Sequence, residues 1–171
     1  MELVRPSVNY KTEYLEYINE VMLNNEIKKL GDAGLKENES FDEMLIRTEK
    51  IRHKENLIGM MKPTSVFWII EDDKIVGSMN LREELNEFTY YTIGNVGYYI
   101  RPSRRNRGYA TESLSLAKQY YKKIGQNRIL LVCTANNKAS EKVIINNGGE
   151  FELEIKAYDG VNNLKRYWIE L

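Results

Sequence analysis

The chain has 171 residues, and its 42% hydrophobic and 11% aromatic content is that of a folded domain rather than a disordered segment. It carries 25 Lys or Arg and 25 Asp or Glu, so the net charge of zero gives no general case for nucleic-acid binding. The single cysteine, Cys133, excludes an internal disulfide and a cysteine-based metal cluster. No apolar run is long enough to span a bilayer. We therefore expect one cytoplasmic domain over residues 1–171, with no metal, nucleic-acid or membrane partner.

The first part of the chain is predicted to be helical after a short strand near Leu3–Arg5. Apolar residues recur at helical spacing over Tyr14–Gly31. A second helix is expected after Ser40, an N-cap followed by Glu43 in the capping-box pattern, and it should stop before Pro63. Its predicted buried stripe consists of Met44, Leu45, Ile51 and Leu57.

The second part of the chain alternates strands and helices. A hairpin is expected first, followed by a loop near residues 83–94. The hairpin strands are Val66–Glu71 and Lys74–Arg82, the later strands are residues 95–101, 128–134, 150–158 and 164–171, and the helices are residues 108–124 and 138–147. This order predicts a mixed α/β sheet with helices on both faces, in one domain.

The segment of residues 100–111, IRPSRRNRGYAT, has the composition of an anion site. It lies between a predicted strand and a predicted helix, and four of the seven residues 101–107 are arginines. The first amides of a helix have no partner within the helix, and the helix dipole adds partial positive charge there. Arginine adds bidentate phosphate recognition, and Gly108 lets the backbone approach a ligand closely. The segment therefore predicts a pyrophosphate site, against the alternative of a solvated basic loop.

This segment also resembles the signature of the GNAT superfamily, the acetyl-CoA-dependent N-acetyltransferases. Arg105–Ala110 is similar to the family's Arg/Gln-x-x-Gly-x-Gly/Ala, and Ile100–Pro102 to its Val-x-Pro. Downstream, Asn137–Ser140 followed by Gly148-Gly149 resembles the family's Asn-x-x-Ala/Ser and glycine elements. The resemblance implies a mostly antiparallel central sheet that splays between the strands near residues 95–101 and 128–134, leaving a V-shaped cleft.

The resemblance further implies that acetyl-CoA is the acetyl donor. Its pyrophosphate would lie on the arginine-rich loop, and its pantetheine arm would lie along the strand before that loop and on the start of the last helix. The implied binding residues are Tyr98, Tyr99, Ile100, Arg105, Asn106, Arg107, Gly108, Tyr109, Ala110, Thr111, Asn137 and Ser140. Asn137 also has the position of an ordinary helix N-cap.

The catalytic residues are less determined than the binding residues. Many family members carry a tyrosine on the last helix that protonates the leaving thiolate, and Ile144 stands at that position here. The amine must also lose a proton. Candidates for taking that proton are Tyr98, Glu83, Glu84 and the single histidine, His53, and each also has an ordinary structural explanation.

Three functions remain open at this level. The first is transfer of an acetyl group from acetyl-CoA directly to a primary amine of a small molecule or protein. The second, favoured by Ile144, is a catalytically inactive acyl-CoA-binding sensor or regulatory module. The third, RNA binding by the arginine cluster, is the weakest.

The distribution of charge suggests what kind of amine is accepted. Residues 1–100 carry a net charge of −6 and residues 101–171 a net charge of +6. The acidic half contains the expected acceptor wall, which favours a cationic amine. The last strands could also pair between two subunits in a homodimer.

Overall fold

The computed structural model describes residues 1–59 and 61–171, in which seven strands and five α-helices follow one another along the chain. The strands are β1 (Glu2–Val4), β2 (Ser65–Glu71), β3 (Lys74–Leu81), β4 (Val96–Ile100), β5 (Arg128–Thr134), β6 (Glu150–Lys156) and β7 (Asn163–Glu170). The helices are α1 (Lys11–Leu23), α2 (Phe41–Lys50), α3 (Glu87–Thr92), α4 (Tyr109–Lys123) and α5 (Lys138–Asn146).

The strands form two antiparallel sheets. The first has the order β1-β2-β3-β4 and the second the order β5-β7-β6. The β2–β3 turn is Asp72-Asp73, with both residues at positive φ, which suits the primed turns that match the twist of a hairpin. The predicted mixed fold with a splayed, mostly antiparallel sheet is confirmed. The strands part between β4 and β5, so the strands form two separate sheets.

Two hydrophobic cores lie on opposite faces of the strands, because side chains alternate along each strand. On β2, Phe67 and Ile69 face the core under α4 and α5, whereas Trp68 and Ile70 face the core under α1 and α2. The same alternation on β4 sends Tyr98 toward α4 and α5 and Tyr99 toward α1. The expected helices on both faces are therefore present.

The first two helices begin as predicted but end earlier. The Ser40 side chain accepts from the Glu43 main chain while Glu43 reaches back to Ser40, a complete capping box. Helix α2 nevertheless ends at Lys50, and Ile51 and Leu57 are only half-buried. Helix α1 ends at Leu23, two residues before Asn25, whose positive φ breaks the helical path. A 3-10 helix, Ile27–Ala33, follows it.

The predicted loop at residues 83–94 contains the six-residue helix α3. The Asn86 side chain accepts from the Thr89 main chain, and the Thr89 hydroxyl accepts from the Asn86 main chain. Asn86 and Thr89 form a capping box although they do not match the usual Ser/Thr-x-x-Glu/Gln sequence. The sequence therefore did not predict the start of this helix.

No helix within the described residues is long and apolar enough to cross a membrane. Over the same residues, no three His, Cys, Asp or Glu side chains group closely enough to hold a metal ion.

Candidate active site

Asn95 joins the two sheets just before β4. Its main-chain N–H donates to the Leu130 carbonyl at 2.7 Å, and its Oδ1 accepts from the Leu130 N–H at 2.7 Å. Its Nδ2 donates to the Arg82 carbonyl at 2.8 Å on the other side. Gly94, at φ +73, pairs with Leu131 in an isolated bridge, and a Cβ there would lie 2.5 Å from the Leu130 carbonyl oxygen. Because the two sheets approach each other closely here, Asn95 lies where the V-shaped gap between β4 and β5 begins.

Beyond Asn95, β4 and β5 diverge around a cavity of about 280 Å³, here called the cleft cavity. Val96–Tyr98 line one side and Val132–Thr134 the other, so both strands leave the junction in the same direction. The remaining lining residues are Thr92, Ile93, Asn137, Ser140 and Leu164. The V-shaped cleft expected between these strands is therefore present.

Two hydroxyl groups meet across this cleft. The Tyr98 hydroxyl lies 2.8 Å from the Ser140 Oγ, and either group can donate. Burial raises the pKa of Tyr98 to about 12, although the Ser140 hydrogen bond acts in the opposite direction. Tyr98 is therefore a neutral phenol at physiological pH and can donate a proton there.

The cleft cavity adjoins a larger groove of about 820 Å³ between the β4–α4 loop and α5, here called the loop groove. Tyr98, Asn137 and Ser140 line both spaces. The loop groove thus offers an elongated ligand a path from the start of α4 to the point where the sheets separate.

The start of α4 forms one wall of the loop groove. Gly108 is the N-cap at φ +85, and among the described residues no side chain caps the first amides of the helix. Asn106 also has a positive φ, so the loop turns sharply just before the helix. Uncapped amides and the helix dipole favour an anion at this position.

Two glutamates from the α1 side hold this loop in place. Glu20 accepts from Arg101 Nε at 2.6 Å and from the Ser103 main chain at 2.7 Å. Glu26 accepts from the Tyr99 hydroxyl at 2.6 Å and pairs with Arg105. The Arg105 contact holds the pKa of Glu26 at about 2, despite the opposing effect of partial burial. We call these contacts of Glu20 and Glu26 the loop clamp.

Most of the predicted cofactor-binding residues line the loop groove. Those that do are Tyr98, Tyr99, Ile100, Arg105, Asn106, Gly108, Tyr109, Ala110, Thr111, Asn137 and Ser140. Arg107 does not line it and is exposed. Six other residues line the groove without having been predicted as binding residues: Lys29, Arg104, Ala139, Lys142, Val143 and Asn146. Arg104 lay within the arginine cluster, whereas nothing in the sequence connects Lys29 or α5 to the loop.

The acidic catalytic candidates and His53 lie away from both spaces. Glu83 accepts from the Tyr120 hydroxyl at 2.5 Å, and Glu84 pairs with Lys62 at 2.6 Å. His53 Nε2 lies 2.9 Å from Glu49. Of these candidates, only Tyr98 lines the cleft cavity.

The start and middle of α5 differ in what they face. The Asn137 Oδ1 accepts from the Ser140 main chain at 3.1 Å, so Asn137 caps the helix and lines both spaces at once. Ile144 is buried in the core, where a Cβ on Gly149 would lie 2.4 Å from its Cγ2. Position 144 is therefore not among the described residues that line the cleft cavity.

A family model, the acetyltransferase (GNAT) domain, matches residues 13–150. No curated protein sequence matches the chain. Among solved structures, the microcin C7 self-immunity acetyltransferase MccE, in complex with acetyl-CoA and AMP, has a TM-score of 0.69 and 19% identity, covering 99% of this chain and 91% of that one.

Two further structures are acetyltransferases of ribosomal protein L7/L12. The Salmonella typhimurium enzyme that modifies the N-terminal serine has a TM-score of 0.67 and 15% identity, with 99% and 94% coverage. RimL with coenzyme A, in which CoA forms a disulfide with a cysteine, has a TM-score of 0.66 and 15% identity, with 99% and 98% coverage. These identities support the shared fold alone.

Proposed function

Because this chain belongs to the GNAT acetyltransferase family, we propose that it transfers the acetyl group of acetyl-CoA directly to a primary amine. Acetyl-CoA is the cosubstrate and no metal takes part. The observation that carries the proposal is the continuity of the two spaces through Tyr98, Asn137 and Ser140. A pyrophosphate on the start of α4 and a thioester in the cleft cavity fit one extended molecule.

The chemistry of the loop groove suits coenzyme A. Its charged lining residues are Lys29, Arg104, Arg105 and Lys142, with no carboxylate among the lining residues described. The CoA-cysteine disulfide in RimL is also relevant. In this chain the single cysteine, Cys133, lines the cleft cavity, where the CoA sulfur would lie in our proposal.

In the transfer, the amine nitrogen attacks the thioester carbonyl carbon and the carbon–sulfur bond breaks. The sulfur leaves with the electron pair and takes a proton, while the amine nitrogen loses one. We assign the proton for sulfur to the Tyr98–Ser140 pair, because its hydroxyls lie in the cleft and the raised pKa keeps Tyr98 protonated. Burial also raises the pKa of the Cys133 thiol, which disfavours an acyl-cysteine intermediate.

No Asp, Glu or His is among the described residues that line either space. In our proposal the acceptor therefore reacts as the neutral amine. After the attack on the thioester, the amine nitrogen gives its proton to water. This assignment replaces Glu83 and Glu84 as bases, because their carboxylates are engaged on other surfaces.

A specific observation also favours the second function, an acyl-CoA sensor. Ile144 brings no hydroxyl to the cleft and is buried instead. The hydroxyls of Tyr98 and Ser140 offset that loss, so we place catalysis first.

The experiment that separates the two functions measures release of free CoA from acetyl-CoA with pooled amines, together with mass detection of acetylated products. Amine-dependent thiol release is expected. Tight acetyl-CoA binding without thiol release across the panel would identify a sensor. Absence of acetyl-CoA binding would refute both.

Two glycines at opposite ends of α4 provide a matched test of the pyrophosphate site. Gly108 and Gly125 both have positive φ, with nothing within 4 Å of an added Cβ, so valine strains the backbone similarly at both. We expect Gly108→Val to weaken acetyl-CoA binding at least tenfold, the equivalent of about 1.4 kcal/mol. Gly125→Val should lose similar stability but bind normally. Equal affinities in calorimetric titrations would contradict the assignment.

A further inference from the structure

Arg82 is a buried arginine without a partner for its charge. The residue is 8% exposed, and its guanidinium makes no hydrogen bond or ion pair with any described residue. Its Nη1 is fully buried and unpartnered. Burial lowers the pKa of Arg82, and the Asp32 carboxylate opposes that effect without forming an ion pair. Because an unpaired buried charge is strongly unfavourable, this arrangement calls for an anion from outside the chain.

Asn80 repeats this pattern two residues earlier on β3. The residue is 6% exposed, and its Nδ2 donates to the Leu30 carbonyl at 3.0 Å. Its Oδ1, in contrast, is buried without a partner. Arg82 directly follows β3, and its Nη1 and the Asn80 side chain would both lie about 4 Å from a Cβ on Gly97, so the two side chains lie on one face of the sheet.

Gly97 connects these two side chains to the cleft cavity. It pairs with Asn80 across the β3–β4 ladder and lines the cleft cavity. A Cβ on Gly97 would have no neighbour closer than 3.9 Å, and its nearest neighbours would be Arg82 Nη1 and atoms of the Asn80 side chain. The missing side chain thus leaves open space between the Arg82 guanidinium, with the Asn80 side chain beside it, and the cleft.

We propose that Arg82 and Asn80 form the acceptor subsite, and that the accepted amine carries an anionic group, a carboxylate or phosphate, which binds the Arg82 guanidinium. The Asn80 Oδ1 accepts an N–H of the same molecule. The inference rests on the proposed acetyl transfer, since it identifies the class of acceptor for that cleft. Arginine binds both anions with paired N–H donors, so the chemistry is shared and the experiment distinguishes them.

The carboxylates of the first half of the chain do not offer a competing cation site here. Glu20 and Glu26 bind arginines of the loop clamp, and Glu39 binds Arg47. Two of the carboxylates that make residues 1–100 acidic, Glu20 and Glu26, are thus paired with arginines of residues 101–171. The unpaired charge beside the cleft is positive.

The first test measures thermal unfolding with CoA at saturation, so that the loop groove is occupied. Sodium acetate, sodium phosphate and methylammonium chloride serve as probes at matched ionic strength. We expect an anion to raise the Tm of the wild type and of Arg128→Met, a control that removes an exposed arginine. Arg82→Met should show no such rise, and the anion with the larger shift identifies the preferred group. Equal anion shifts in all three proteins, or a larger shift with methylammonium, would overturn the proposal.

The unliganded Tm of Arg82→Met separates a binding role from a structural one. Removing an unpaired buried charge should leave the Tm unchanged or raise it. A clearly lower Tm would mean that the guanidinium stabilises the fold, and would also overturn the proposal.

The second test compares kcat/KM for 3-aminopropionate, 2-aminoethyl phosphate and 1,3-diaminopropane. The anionic amines should be preferred, and Arg82→Met should reduce their kcat/KM about tenfold to a hundredfold while leaving the acetyl-CoA Kd unchanged. Preference for the diamine would refute the subsite but keep the acetyl transfer. An Arg82-dependent anion shift without CoA release from any of these amines would keep the anion site and count against the transfer.

Discussion

Tyr98 combines two properties that a proton donor in the cleft requires. Its place on β4 directs the ring toward α5, and burial among apolar neighbours keeps the phenol protonated. Ser140 adds a second hydroxyl at hydrogen-bond distance, so a proton given by one can be replaced through the other. The pair spans the opening between β4 and α5, beside the cleft cavity where β4 diverges from β5.

We expect Tyr98→Phe to lower kcat about tenfold to a hundredfold, since general acids contribute about a hundredfold or more and a thiolate is a good leaving group. The KM for acetyl-CoA should change little. Ser140→Ala should lower kcat similarly. The double variant should have a kcat no lower than that of the less active single variant, because the two residues act as a unit. Tyr120→Phe, whose hydroxyl contacts Glu83, is the control. Additive losses would argue against a shared proton path.

Arg105 illustrates which residue properties the sequence cannot reveal. Its motif position identified it as a groove residue, and it does line the loop groove. Its ion pair with Glu26 joins residues 79 positions apart, and no local pattern indicates such a contact. The same holds for Arg82, where the informative feature is that its buried Nη1 has no hydrogen-bond partner among the residues the structure describes.

At the level of secondary structure, elements with strong local signals were predicted closely. Strand β5 has the predicted bounds, because a nearly continuous apolar run has few other interpretations. Helix α4 likewise ends next to the predicted Gly125. Helix α3 was missed because a six-residue helix produces no periodic signal. Helix α2 was predicted too long because Ile51 and Leu57 continue its apolar spacing, although the helix ends at Lys50.

The junction at Asn95 is the first element-scale feature open to test. Asn95→Leu removes the side-chain bonds to Leu130 and Arg82 in a buried place. The Leu130 N–H loses its Asn95 acceptor, whereas the Arg82 carbonyl keeps the Tyr121 hydroxyl as its donor. We expect a loss of about 3 kcal/mol, which lowers the Tm by roughly 6–12 °C in a chain of this size. Asn127→Leu, at an exposed position beside β5, should cost little. Equal effects of the two substitutions would show that Asn95 does not join the sheets.

The loop clamp predicts a definite pH dependence. The pKa of Glu26 is about 2 in the folded chain, below its ordinary value of 4.5. Its stabilising effect is therefore complete above about pH 4.5 and disappears as the pH falls through 2.

Glu26→Gln should accordingly be less stable than the wild type at neutral pH, by about 1 kcal/mol after solvent screening. The difference should shrink on acidification toward about pH 2. Glu37→Gln, at an exposed position, is the control. A difference between Glu26→Gln and the wild type that stays constant across the acid range would contradict the clamp.

For the whole molecule, the cationic lining of the loop groove makes cofactor binding an electrostatic property. We expect the acetyl-CoA Kd to rise roughly threefold or more between low and high salt, because salt screens exposed charges. Acetyl-pantetheine, which lacks the phosphates, should bind with little salt dependence. Similar salt dependence for both ligands would show that the basic residues do not contact the phosphates.

Pairing of two subunits stays a prediction, and β6 is where it would be tested. β6 is an edge strand with an exposed surface that includes Phe151, but Glu150, Glu152 and Glu154 place charges along it. Charged edges commonly resist strand pairing between molecules.

The boundary between the two sheets is also a boundary in the sequence. Strands β1–β4 end at Ile100 and β5–β7 begin at Arg128, with α4 between them. A chain cut in the turn at residues 125–127 would therefore yield two fragments, each with every strand of one sheet. Their reassociation would depend on the Asn95–Leu130 bonds and on α4 packing against both sheets. The fold thus has a natural site for a split reporter, in which, on the function proposed above, acetyl-CoA would draw the two fragments together.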